Sequence, residues 1–191
     1  IITLRDVLHR HLSWRPPMDF ERQHPDDRFI LRSVGSTLIL VGNRPPSAAG
    51  MKWLERELVA FGSRYPGHAT YLHYAFDGGE MSMPDDETRA AMRSVASNGP
   101  KMFASIAMIM DYEGFTGAAV RSVLSGVLFA ARAPKHLKIF GTVAEGRAWF
   151  EGFVAPKHVP ALDGLVAEVK RLRAIQEAEN ALRRGEAARA R

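Results

Sequence analysis

Ser105-Ile106-Ala107-Met108-Ile109-Met110-Asp111-Tyr112-Glu113-Gly114-Phe115-Thr116-Gly117 decides the fold of this chain. Residues 104–111 are nearly all apolar, the pattern of a central strand covered on both faces. The run ends in a short acidic loop. Thr116 then stands where a helix N-cap belongs, and the helix it opens runs to Arg132. Val120, Val123, Leu124, Val127 and Leu128 give that helix a wide apolar face, and Ala118, Ala119, Ser122, Ser125 and Gly126 let it approach its neighbours closely. In an open α/β sheet, ligands and partners sit beyond the carboxyl end of such a strand. Asp111, Glu113, Phe115, Thr116, Gly117 and Arg121 are therefore the candidate binding residues.

Outward from this stretch, strands and helices alternate. Phe29–Val34 and Thr37–Val41 read as strands joined at Gly35-Ser36, a two-residue hairpin signal. A helix follows over 48–63 with Met51, Leu54, Leu58 and Phe61 as its stripe. Ala69–Phe76 is a third strand rich in aromatic residues. Asp85 or Asp86 caps the next helix, which runs to Ser97 ahead of Asn98-Gly99-Pro100. Leu137–Gly141 is a fifth strand, and Thr142-Val143-Ala144-Glu145 is a capping box opening a helix that bears Trp149, Phe150 and Phe153. A last helix starts at 161 with Leu162, Leu165, Val169 and Leu172, continued imperfectly by Ile175 and Leu182, and frays into a basic end beyond Arg183. At the other end, Leu4, Val7, Leu8 and Leu12 mark a short helix over 3–13, and 15–27 reads as a polar linker or wrapping arm. The expected fold is α/β: an open mixed sheet of about five strands, with an antiparallel first hairpin, the remainder largely parallel, and helices packed on it. The expected segments are an N-terminal helix and arm (1–27), the α/β domain (28–155), and a C-terminal helix with basic tail (156–191).

Composition narrows the chemistry. The 191 residues include no cysteine, which excludes disulfides, thiolate metal sites and a cysteine nucleophile. No apolar run reaches the roughly 20 residues of a membrane helix, and Ile1-Ile2-Thr3-Leu4-Arg5-Asp6 lacks the apolar core of a signal peptide. A cytoplasmic protein without membrane contact is expected. The net charge is +5, but residues 168–191 carry seven Lys/Arg against four Asp/Glu, so the basicity is concentrated in the tail. That is a weak footprint for nucleic acid.

The order of elements resembles the STAS fold of anti-sigma-factor antagonists and the SpoIIAA-like domains related to them. The residues that carry the resemblance are Ile106–Met110 for the central strand and Ala119-Val120-Arg121-Ser122-Val123-Leu124-Ser125-Gly126 for the helix before the last strand. Ile139-Phe140-Gly141-Thr142-Val143-Ala144-Glu145-Gly146-Arg147-Ala148-Trp149 stands for the last strand and the helix start after it. The match covers roughly 29–153. The resemblance implies regulation through protein–protein contact, switched in that family by phosphorylation of a serine in a D-S-S/T-G loop. Here the corresponding loop reads Asp77-Gly78-Gly79-Glu80-Met81-Ser82-Met83-Pro84-Asp85. The motif is missing, and Ser82 is the one candidate phosphoacceptor, set among acidic neighbours that repel a phosphate.

No catalytic motif is present. His9 and His11, His24, His68 and His73 are not at metal-ligand spacing, and neither a phosphate-binding loop nor a nucleophile elbow occurs. The expectation is a non-enzymatic regulatory or scaffold domain, without cofactor or metal, that binds an unidentified protein or pairs with a second copy through a helix. Two alternatives stay open at this point: a small-molecule, nucleotide or lipid-binding module using the strand ends, and an enzyme using Asp111 and Glu113 as paired carboxylates. Arg121, Arg132, Lys135 and Lys138 form a candidate basic patch.

Overall fold

The computed structural model describes residues 19–24, 29–43, 47–76, 85–112, 119, 121–122, 125–126 and 134–189. The expected helix over 3–13, residues 77–84 with Ser82, Glu113, Phe115, Thr116, Gly117 and Arg132 all lie outside these residues.

Among the described residues six strands stand side by side in chain order: β1 (Glu21–Gln23), β2 (Phe29–Val34), β3 (Thr37–Gly42), β4 (Thr70–Phe76), β5 (Ser105–Asp111) and β6 (Leu137–Phe140). The β1–β2 and β2–β3 pairs are antiparallel and the rest parallel, as the alternation of strands and helices requires. Gly35 turns the β2–β3 hairpin at φ +57°, a conformation costly for a side chain, and its N–H donates to Asp19 Oδ1 at 3.0 Å. Helix α1 (Ala48–Arg64) joins β3 to β4, and α2 (Asp86–Asn98) leads from β4 toward β5. Helix α3 (Val143–Phe150) follows β6, and α4 (Leu162–Arg189) closes the chain. Between β5 and β6 the described residues Ala119, Arg121, Ser122, Ser125 and Gly126 are helical.

Strand alternation sorts the side chains into two apolar layers. Ile30, Ile39, Val41, Leu72, Phe76, Ala107 and Ile109 face Phe150 of α3 and Leu165, Val169 and Leu172 of α4. Phe29, Leu31, Leu38, Leu40, Tyr71 and Ile106 face Met51, Leu54, Leu58 and Phe61 of α1 and Ala91 of α2. Both faces of β5 are thus covered, which is why its sequence is an unbroken apolar run. Helix α3 lies close on that strand. A Cβ on Gly146 would come within 2.7 Å of Ile109 Cδ1 and 3.0 Å of Ala107 Cβ.

Two elements differ from the sequence reading. The stretch read as a polar arm contains β1, whose three residues are all exposed. No hydrophobic alternation marks it, because its hold is polar and long-range. Arg22 pairs with Glu57 at 2.7 Å, Gln23 donates to Glu179, and Glu21 meets Arg171. Helix α4 continues to Arg189, past the expected fraying point. Beyond Leu172 its inward positions are Gln176 and Asn180, 1% and 6% exposed, while Leu182 points outward. The apolar stripe stops before the buried face does.

Thr37, Thr70 and Ser105 stand in register across three parallel strands and are fully buried. Thr37 and Thr70 share a hydrogen bond of 2.8 Å, whereas Ser105 Oγ has no hydrogen-bond partner among the described residues. A buried hydroxyl without a partner keeps its desolvation cost uncompensated. Ser105→Ala is expected to stabilise the fold by up to about 1 kcal/mol, read as a higher urea midpoint at unchanged slope. The same change at Thr70 removes a made bond and is expected to lower the midpoint.

Candidate functional site

Asp111 ends β5, and its side chain leaves the sheet on the side of α4. Its Oδ2 accepts from Arg173 Nη1 of α4 at 2.7 Å and, through a short contact, from the Tyr74 hydroxyl of β4. Arg173 also donates to Tyr74 Oη at 3.0 Å and to Glu177 Oε1 at 2.7 Å, and its guanidinium lies 4.9 Å from the centre of the Phe76 ring. The register explains the meeting. Phe76 is the cross-strand partner of Asp111, and Tyr74, two residues back on the same face, reaches along the strand to the carboxylate. Burial first, and then the hydrogen bond to Asp111, push the Tyr74 phenol up to about 12. It therefore stays protonated as a donor at neutral pH. Electrostatically the cluster is a carboxylate held between a phenol and a guanidinium, and its effect is to fasten α4 across the ends of β4 and β5.

Arg121 is drawn elsewhere. Its Nη1 donates to the carbonyls of Met110 and Tyr112 at 3.0 and 3.5 Å, and it lies beside Gly141 and Glu145 at the far edge of the sheet. There it lines an open recess of about 550 Å³ with Ser122, Ser125, Lys138, Phe140 and Glu145. The Glu145 carboxylate closes the capping box of α3. It accepts from Thr142 Oγ1, from Thr142 N at 2.9 Å and from Gly141 N at 3.1 Å, while Glu145 N donates to Thr142 Oγ1. The bond from the Thr142 hydroxyl, helped by the two backbone N–H groups and the Arg121 charge, holds Glu145 below the usual carboxylate range. Lys138 Nζ sits 5.4 and 5.2 Å from the ring centres of Phe140 and Trp149.

Of the sequence candidates described here, Asp111 and Arg121 thus belong to two separate groupings. Sequence reasoning missed Tyr74 and Arg173 as partners of Asp111. The only local signal near Arg173 is its spacing of four from Glu177, which marks a solvated helix pair and not a strand-end anchor. In the basic patch, Lys138 and Arg121 do come together, but around aromatic rings and backbone carbonyls. Among the described residues no group of three or more His, Asp or Glu is placed to hold a metal ion, and no helix is long and apolar enough to cross a membrane.

No protein-family model matches the chain, and no curated protein does. Among solved structures, it is similar to an uncharacterised protein of the DUF3478 family from Shewanella loihica PV-4. That protein has a SpoIIAA-like fold. The identity is 13%, and the match spans 69% of this chain and 91% of the other at a TM-score of 0.40. The α/β assignment itself rests on the sheet: one antiparallel hairpin extended by β1 on one side and by three parallel strands on the other.

Proposed function

We propose that the chain is a non-enzymatic regulatory or scaffold domain that acts by binding another protein. The observation that carries this reading is the state of Asp111. A general base must be free to reach a substrate proton. Here Oδ2 of the carboxylate is taken up by Arg173 and Tyr74, which supports a role in fastening α4 to the strand ends. The open recess at the other edge offers charge, hydroxyls and apolar surface without enclosing a reacting centre, which suits contact better than turnover.

The test is affinity capture with the full chain as bait in a lysate of its native host, run at two bait densities with wild type and Asp111→Asn. A protein retained saturably and to the same extent by both is the expected result, because Asp111 faces α4. Failure to retain any protein saturably, together with a thermal shift produced by a nucleotide, phosphosugar or lipid at millimolar concentration, would replace this reading with small-molecule binding.

A further inference from the structure

We propose that the outer edge of β6 takes an extended, acidic segment of a partner protein as a seventh strand, an inference that rests on the protein-binding reading above. Among the described residues β6 is the last strand of the sheet, and only one of its sides is paired. The ladder shows which groups are left. Ile106 N donates to the His136 carbonyl, and in an extended strand the N–H and C=O of one residue share a side that alternates along the chain. His136, Lys138 and Phe140 therefore turn toward β5, and Ile139 turns its N–H and C=O outward. Among the described residues nothing pairs with them. Gly141 N, the next outward donor, is already closed by Glu145 at 3.1 Å, which fixes where the open edge ends.

The recess opens at the carboxyl end of this strand. Lys138 to Gly141 line it from β6, Ser122 and Ser125 from the crossover, and Glu145 and Ala148 from α3. Its charge selects the occupant. Lys138 and exposed Lys135 flank the edge, and Arg121 stands at its carboxyl end on the Met110 and Tyr112 carbonyls, opposed there by Glu145, which is committed to its own helix cap. Half-buried Ile139 and Phe140 supply apolar contact beside the cations. Strand addition draws affinity from main-chain bonds and specificity from alternate side chains. An incoming strand of acidic and apolar residues matches both. A second copy pairing through β6 would bring Lys138 and Arg121 of both chains into one groove. A nucleic acid would satisfy the cations but has no amide ladder to offer Ile139. Lysines on an edge also guard it against self-pairing, and an edge that was only guarded would bind nothing saturably.

The probe is a fluorescent peptide of roughly eight residues, an ordinary strand length, alternating valine and glutamate, with a valine–lysine peptide as its counterpart. Saturable binding of the acidic peptide alone is expected, with amide NMR shifts concentrated at Leu137–Gly141. Lys138→Glu is expected to weaken it by about tenfold or more. Ile139→Pro removes the outward N–H and trims a half-buried side chain, a change edge strands accept, and is expected to abolish binding while the chain stays folded by circular dichroism. Should Ile139→Pro fail to fold, Lys138→Glu alone decides. Equal binding of both peptides, shifts centred away from β6, no saturable binding, or a dimer that excludes the peptide would each overturn the inference. A partner captured by the full chain but insensitive to Lys138→Glu would overturn it while leaving the protein-binding reading in place.

Discussion

Leu172→Ala is expected to destabilise the fold by about 2–5 kcal/mol, the usual cost of emptying a buried leucine site. Leu172 is fully buried ten residues into the C-terminal helix and packs in the same layer as Ile39, Leu72, Ile109 and Phe150. Those residues come from three strands and α3, so the cavity would open at the centre of the layer with little room to collapse. Leu182→Ala, on the same helix but 68% exposed, is expected to change stability by less than about 0.5 kcal/mol. Chemical denaturation of the two variants separates a helix that completes the core from one that merely follows it. Equal small effects would mean that α4 does not seal this face of the sheet.

The second large effect is a dependence on pH. His73 lies in β4 between Leu40 of β3 and Met108 of β5, its cross-strand partners on the same face. Desolvation of the half-buried ring among these neighbours lowers its pKa from 6.5 to about 4. Between those two values the unfolded chain binds a proton that the folded chain refuses, so stability rises with pH through the window and falls on acidification. A full shift of this size corresponds to at most about 3 kcal/mol, and the partial exposure of the ring reduces it, the loss developing as pH drops from 6.5 toward 4. His158 adds in the same direction. Desolvation, the adjoining His68 ring 4.5 Å away and the Lys157 charge all lower its pKa. The carboxylates held low by hydrogen bonds, Glu145 through Thr142 and Glu168 through Arg171, contribute at more acid pH. Urea midpoints of wild type and His73→Leu between pH 7 and 4.5 are expected to converge at neither end. The wild type should lose stability steeply and the variant only by the His158 share. Parallel curves would show that His73 takes up its proton without cost.

What could be seen in the sequence follows from how local each cause is. The β5 run, the Gly35 turn and the Thr142–Glu145 box are written within a few neighbouring residues, and all three are present where read. β1 could not be seen because its three side chains are exposed and its partners, Glu57, Arg171 and Glu179, come from distant helices. The buried face of α4 outlasts its apolar stripe because Gln176 and Asn180 complete it, and an apolar pattern is blind to buried amides. At the strand end, Asp111 stood out in the sequence by its place at the close of the β5 run. Its role was not, because Tyr74 and Arg173 stand 37 and 62 residues away and meet it only through sheet register and the crossing of α4.

That role is the claim on which the non-catalytic reading turns, and a double-mutant cycle on stability with Asp111→Asn, Arg173→Met and the pair measures it most directly. The two side chains are 36% and 38% exposed, so their coupling is expected near 1 kcal/mol and not at the level of a buried pair. Each single variant is expected to lower stability, and the double variant to lose less than the sum. A carboxylate kept for chemistry against the interest of the fold behaves differently, since its removal stabilises. Additive effects, or a gain in stability from Asp111→Asn alone, would contradict the assignment of Asp111 as the anchor of the C-terminal helix.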